Sequence, residues 1–259
     1  MKKEINRIRL LFLFYPVFAL LLSFLIEAGF FVSTLIFLGV PSLILSFKNK
    51  NLIKKCAFFS AAFGIPLTII IDYLHTATRT WFIPKPVFTF RLFGVNTIDM
   101  VLWGFFYAYL VVMYYEYVHN HDFKGTLNLN RKSLIIFWFA SLFIFLTLLV
   151  FKNKLMNIGY VYLSIGLMLG ILPIATVLLK FPSLFVNFFK TGIYFFYFNF
   201  IYEITALKLG QWTFPGTKYI GFVNIFGIRF PFEELFFWIT LGAVSILALY
   251  KLFFMVVKK

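Results

Sequence analysis

Cysteine is almost absent from this chain of 259 residues, which has only Cys56. That excludes an internal disulfide framework and a multi-cysteine metal site. Histidine is nearly as scarce. His119 and His121 fall in a polar loop and His75 near the expected end of a helix, so no metal is expected, and a membrane di-iron centre would need many more. No G-x-G-x-x-G follows a strand and no G-x-x-x-x-G-K-[ST] occurs, which leaves flavin, nicotinamide and nucleotide sites without support. The aspartate-rich boxes that hold magnesium and diphosphate in membrane prenyltransferases are missing too. No cofactor is expected. Charge is also scarce, at 13% of residues against about 25% in an ordinary soluble domain.

Apolar residues fill the space, at 62%, more than a water-soluble core can absorb. Runs such as Leu10 to Ile26, Ser133 to Phe151 and Ile158 to Leu179 approach or pass the roughly 18–20 residues that span a hydrocarbon layer. They are continuous, whereas a membrane β-barrel needs short alternating segments. The pattern predicts an all-α, polytopic membrane protein with eight spans at about 9–27, 29–47, 55–76, 97–117, 133–151, 158–179, 185–206 and 232–251. The basic start followed by an apolar run resembles a signal peptide, but the run is too long and lacks a small-residue cleavage site, so it reads as the first span.

The net charge of +15 does not indicate a nucleic-acid partner, because Lys and Arg sit almost entirely between the apolar runs, where they act as topology signals. Of the 24, 15 fall on the N-terminal side of the spans, 8 on the opposite side and one, Lys190, within the seventh span. This excess predicts a multi-pass protein of the cell membrane with both termini cytoplasmic. The connections at about 77–96 and 207–231 then lie outside, and both are rich in Trp, Phe, Pro and Gly.

Those two connections expose an internal repeat. Asp72 and Glu203, Trp81 and Trp212, and Pro84 and Pro215 are each 131 residues apart. Further on, LFGVNTIDMVLW (92–103) aligns with IFGIRFPFEELFFW (225–238), with a few residues inserted in the second copy. The reading is two four-helix halves, residues 1–125 and 126–259. An even number of spans per half makes the repeat parallel, with both motifs on one membrane face.

Few acids are available to do chemistry. Glu4 and Asp122 fall in polar segments, whereas Asp72 and Glu203 fall near the outer ends of the third and seventh spans, and Asp99, Glu233 and Glu234 at the outer starts of the fourth and eighth. An ionisable group at membrane depth is costly and therefore a candidate for function. A carboxylate in a helix's first turn also has a structural explanation, because free N–H groups and the helix dipole favour it there. Two carboxyls sharing an apolar site do not both ionise, so one can act as acid and the other as base. Phe237 stands one turn after Glu233 and Trp238 one turn after Glu234. Aromatic faces beside the acids, from Trp81, Trp103, Trp212, Phe236, Phe237 and Trp238, would stabilise a carbocation; Trp81 and Trp212 also read as interface anchors.

Asp72…Trp81…Pro84…Gly94…Asp99 and Glu203…Trp212…Pro215…Gly227…Pro231-Phe232-Glu233-Glu234…Phe237 resemble the two related domains of the membrane-intrinsic, non-flavin lycopene cyclases. The resemblance covers both halves and implies a carotenoid cyclase that takes a hydrophobic polyene or isoprenoid from the bilayer lipid. It implies that an acid protonates the terminal double bond, an internal alkene attacks the cation and a base removes a proton, without net redox. Glu233 and Glu234 are then the expected acid and base, with Asp99, Asp72 and Glu203 completing the catalytic set. The first half departs from the pattern: Asn96-Thr97-Ile98-Asp99-Met100 stands where the second has Pro-x-Glu-Glu.

Two rival readings follow from the same residues. An intramembrane CAAX-type protease shares a Glu-Glu start, but Leu-Phe-Phe-Trp follows here and no later histidine exists, so that motif fails. A non-enzymatic carrier or binding protein for a lipid or isoprenoid would place its site at the midplane between pseudo-symmetric halves, with helices broken near Gly64-Ile65-Pro66 and Pro173. Acids clustered at one face favour the cyclase, and acids along a through-path favour the carrier.

Overall fold

The computed structural model describes residues 2–119, 127–129, 131–151 and 159–256. The expected boundary at 125/126, His121 and Asp122 lie outside the described residues. The chain is helical almost throughout, and we number the main helices α1 (Lys2–Leu25), α2 (Phe30–Lys48), α3 (Lys50–Ala77), α4 (Ile98–Val118), α5 (Arg131–Val150), α6 (Val161–Lys180), α7 (Pro182–Lys208), α8 (Glu234–Thr240) and α9 (Gly242–Phe253). Among the described residues six are long and apolar enough to cross a bilayer. A seventh span results if α8 and α9, bent by 54° at Leu241, count as one. The sequence predicts eight; the remaining apolar helix is α5, whose stretch Leu134–Val150 is shorter than the others.

Every residue of α4 from Tyr107 to Val118 is buried, as expected of a helix that is apolar on all sides and runs through the centre of a bundle. It packs against α2, α3, α7 and α9. The peripheral helices instead carry outward apolar stripes, with Leu10, Phe14, Phe18, Leu21 and Leu25 of α1 and Phe139, Phe143 and Val150 of α5 all exposed. Steps of three or four residues put such side chains on one face. Exposed apolar area on this scale is compatible with a multi-pass membrane protein.

Prolines shape three of the helices. Pro41, Pro66 and Pro173 each follow a widened π-helical turn, at Leu35–Gly39, Ser60–Gly64 and Gly166–Ile171. Proline offers no N–H and its ring collides with the carbonyl four residues back. That carbonyl belongs to Phe37, Ala62 and Leu169, inside each wide turn, and an i→i+5 pattern accommodates the missing bond.

Elements recur along the chain. Phe30–Lys48 with its wide turn and Pro41 is followed, 131 or 132 residues on, by Val161–Lys180 with its wide turn and Pro173. Two short antiparallel hairpins also match: β1 (Arg91–Leu92) with β2 (Asn96–Thr97), and β4 (Phe222–Ile225) with β5 (Ile228–Pro231). Their tips, Phe93-Gly94 and Phe226-Gly227, both carry positive φ at each of two residues, the demand of a tight type I′ turn. Where the two loops meet, Phe82 N–H donates to Thr213 O at 3.0 Å and Thr213 N–H to Phe82 O at 2.9 Å. Phe82 and Thr213 are themselves 131 residues apart, so counterpart positions pair with each other, as they do beside a two-fold axis.

The opposite end of the bundle is held by charge. Glu4 meets Lys48 at 3.0 Å, while Glu116 meets Lys55 at 3.2 Å and Lys251 at 3.5 Å and accepts from Tyr250 Oη at 2.8 Å. These contacts tie α1 to α2, and α3 and α9 to the central α4. Nearby, β6 (Phe254–Val256) pairs with β3 (Leu127–Leu129).

Candidate active site

The loop end of the bundle gathers the acids. Asp72 sits five residues before the end of α3 and Glu203 five before the end of α7, while Asp99 and Glu234 open α4 and α8. All four are buried, as is Glu233. Between α3, α4, α6, α8 and α9 runs an apolar cavity of about 230 Å³. Asp72, Glu234, Trp81 and Trp212 border it at the loop end, and Phe59, Phe63 and Leu249 lie deeper. The 13 residues of α3 from Phe59 to Asp72 correspond to about 20 Å at the helical rise, so the cavity is a slot parallel to the helices.

Glu234 and Glu203 are close neighbours. Each carboxyl has its own neutral donor: Trp212 Nε1–H donates to Glu203 Oε1 at 3.0 Å, and the Tyr162 hydroxyl donates to Glu234 Oε2. Glu203 Oε2 is buried without a donor among the described residues. Two carboxyls this close in an apolar site do not both ionise. Glu203 lies one layer behind the slot wall and Glu234 on it.

Asp72 lines the same cavity. Its Oδ2 accepts from Asn96 Nδ2 at 3.1 Å, and Asn96 also donates to Ile69 O at 2.7 Å. Beside it His75 bonds Thr80 Oγ1 through Nδ1 at 2.8 Å and meets the Tyr162 ring edge-on at 4.5 Å. Outside the helices, burial pushes the Tyr219 phenol above its ordinary range, and its hydroxyl donates to Thr80 O, joining the second loop to the first.

Two more of the expected acids do not line the slot. Glu233 accepts from the backbone N–H of Ile220 at 2.6 Å, and Asp99 from those of Val87 at 2.6 Å and Phe88 at 3.2 Å. Each pins the loop leading into its own hairpin. Glu233 therefore does not form a facing pair with Glu234. Neighbouring residues on a helix project in different directions, and of the two only Glu234 lines the slot. Glu233 is the counterpart of Asp99, 134 residues on, and at the same offset the counterpart of Glu234 is Met100, which also lines the slot.

Of the expected aromatic wall, Trp81, Trp103, Trp212, Phe237 and Trp238 line the cavity. Trp103 lies 4.7 Å from Trp238, and Trp81 6.3 Å from Trp212, between ring centres. Phe236 does not line it; it is partly exposed and stacks on Phe232. The sequence reading missed Tyr162, Tyr107 and Gly166. A Cβ on Gly166 would lie 2.2 Å from the Phe237 ring, so only glycine lets α6 approach the aromatic wall this closely. The repeat held the signal: 131 residues before Tyr162 and Gly166 stand Phe31 and Leu35, so the hydroxyl and the missing side chain belong to the second copy alone.

The site presents no group of three or more metal-ligating side chains among the described residues. What it can do is move protons between carboxyls at the end of an apolar, aromatic-walled slot. No known protein family, curated protein or solved structure matches the chain.

Proposed function

We propose that this protein is a membrane carotenoid cyclase that closes the end group of a linear polyene such as lycopene by proton transfer, without net redox. In this reading it spans the cell membrane eight times as two parallel four-helix repeats, residues 1–125 and 126–259, with both termini cytoplasmic. The observation that carries it is the two slot-lining carboxyls, Asp72 and Glu234, at one end of an aromatic-walled apolar slot long enough for part of an extended apolar chain. Glu234, on the slot wall, delivers the proton to the terminal alkene carbon. The internal alkene attacks the resulting tertiary cation, forming the ring bond, and a neighbouring C–H loses its proton to a carboxylate, with Asp72 across the slot the second candidate base. The faces of Trp103, Phe237 and Trp238 stabilise the intervening cation. Asp99 and Glu233 hold the loops that roof the site.

The rival carrier reading expects acids spaced along a through-path. Here the carboxyls that reach the slot, Asp72 and Glu234, sit at its loop end, while Phe59, Phe63 and Leu249 line the other, which favours chemistry at a chain end. The test is expression in cells that accumulate lycopene, with pigment spectra and product masses recorded. The expected result is a shift in absorption at unchanged mass, abolished in Glu234→Gln and strongly reduced in Glu203→Gln. Wild-type cells that keep unaltered pigment would remove the proposal.

A further inference from the structure

A second hollow, of about 630 Å³, lies outside the slot among Leu207, Thr213, Thr217, Phe222 and Arg229. Thr213, Thr217 and Arg229 are exposed, so water reaches this hollow from the loop end of the bundle. Trp212 lines both spaces. Its indole is 4% exposed and held by ring contacts to Phe30 at 5.8 Å and Tyr202 at 5.5 Å. Its Nε1–H bond to Glu203 at 3.0 Å places the same ring directly beside the carboxyl pair. Trp81, its counterpart in the first half, lines the slot but not the outer hollow.

We infer that Trp212 is the water barrier of the site and so determines the fate of the cation. The inference rests on the cyclisation proposed above. Once the ring has closed, a tertiary cation in a dry slot can only lose a proton to a carboxylate. A cation reached by water gains a C–O bond instead: the water oxygen joins the cationic carbon, its proton passes to the carboxylate that gave up the first, and the product is a tertiary alcohol. No electrons are exchanged, and the only co-reactant is water. An exposed hollow separated from the slot by one ring makes that ring the specificity-determining residue, because excluding water is what prevents this side reaction.

Trp212→Ala joins the two spaces, whereas Trp212→Phe keeps a ring in place and loses only the donor to Glu203. In lycopene-producing cells, W212A is expected to yield a product one water heavier than the substrate, absent from wild type. W212F is expected to give only isomeric ring product, at a lower rate. Trp212→Leu, with intermediate bulk, gives a smaller hydrated share and decides the matter if W212A does not accumulate in membranes. If wild type cyclises and W212A at normal membrane levels gives ring product alone or no product, the barrier is overturned and the cyclase reading stands. If W212F hydrates as much as W212A, the hydrogen bond and not the ring is responsible, which also overturns it. If wild type forms no ring, the underlying reading falls.

Discussion

Adjacent side chains on a helix do not face each other, and Glu233 and Glu234 show how far apart two neighbours can end up in role. One is bonded to the Ile220 N–H, the other to the Tyr162 hydroxyl. Glu233→Ala removes the acceptor from that loop and is expected to cost about 1–3 kcal/mol, whereas Glu233→Gln keeps an acceptor and costs about 1 kcal/mol. E233Q should still turn over the polyene that E234Q does not, with unfolding followed by heating in detergent and product by pigment spectra. If E233Q were as inactive as E234Q at normal stability, Glu233 would belong to the chemistry. At this scale the sequence named seven of the residues that line the slot, including Asp72, Glu234, Trp212 and Phe237. It missed Tyr162 because one tyrosine in an apolar run carries no periodic signal, and it did not show that Glu233 bonds the Ile220 N–H, because adjacency in sequence does not fix which way a side chain points.

Among the elements, α4 depends most on a single residue. Glu116 is the acceptor for Lys55 on α3 and for Lys251 and Tyr250 on α9, and Lys251 is itself buried against the Tyr115 and Tyr250 rings. Glu116→Leu leaves Lys251 without this carboxylate in an apolar setting, and removal of one partner of a buried pair costs about 3–5 kcal/mol. The expected result is a large fall in thermal stability in detergent. A second change, Lys251→Met, should recover part of it by removing the stranded charge. A fall of less than about 1 kcal/mol in E116L would match a surface pair instead and contradict the assignment. The helix positions themselves were legible, since hydrophobic length decides them. The wide turns were only half legible: Pro66 and Pro173 mark helix breaks in sequence, but proline alone does not say whether a helix kinks, stops or widens.

For the whole molecule, the repeat explains why one slot serves two halves. Counterpart residues Phe82 and Thr213 bond to each other, and counterpart tryptophans roof the site from both sides. Yet the copies are unequal where chemistry is placed. Met100, Phe31 and Leu35 occupy the positions of Glu234, Tyr162 and Gly166, so the first copy supplies wall and Asp72 while the second supplies the carboxyl pair. The matched spacing of these positions was readable from the sequence alone. This division of labour was not, because it depends on which side chains of α3, α4, α6 and α8 converge.

The lone thiol, Cys56, is fully buried beside Met113, and that gives the chain a practical property. A maleimide that does not cross membranes has no native target on the folded protein, so single cysteines can be introduced without first removing any. A cysteine at the exposed Phe226 tip should be labelled on intact cells, and one at the exposed Lys180 only after the membrane is opened. The reverse pattern would invert the proposed orientation, making the native sequence its own blank for mapping which side faces out.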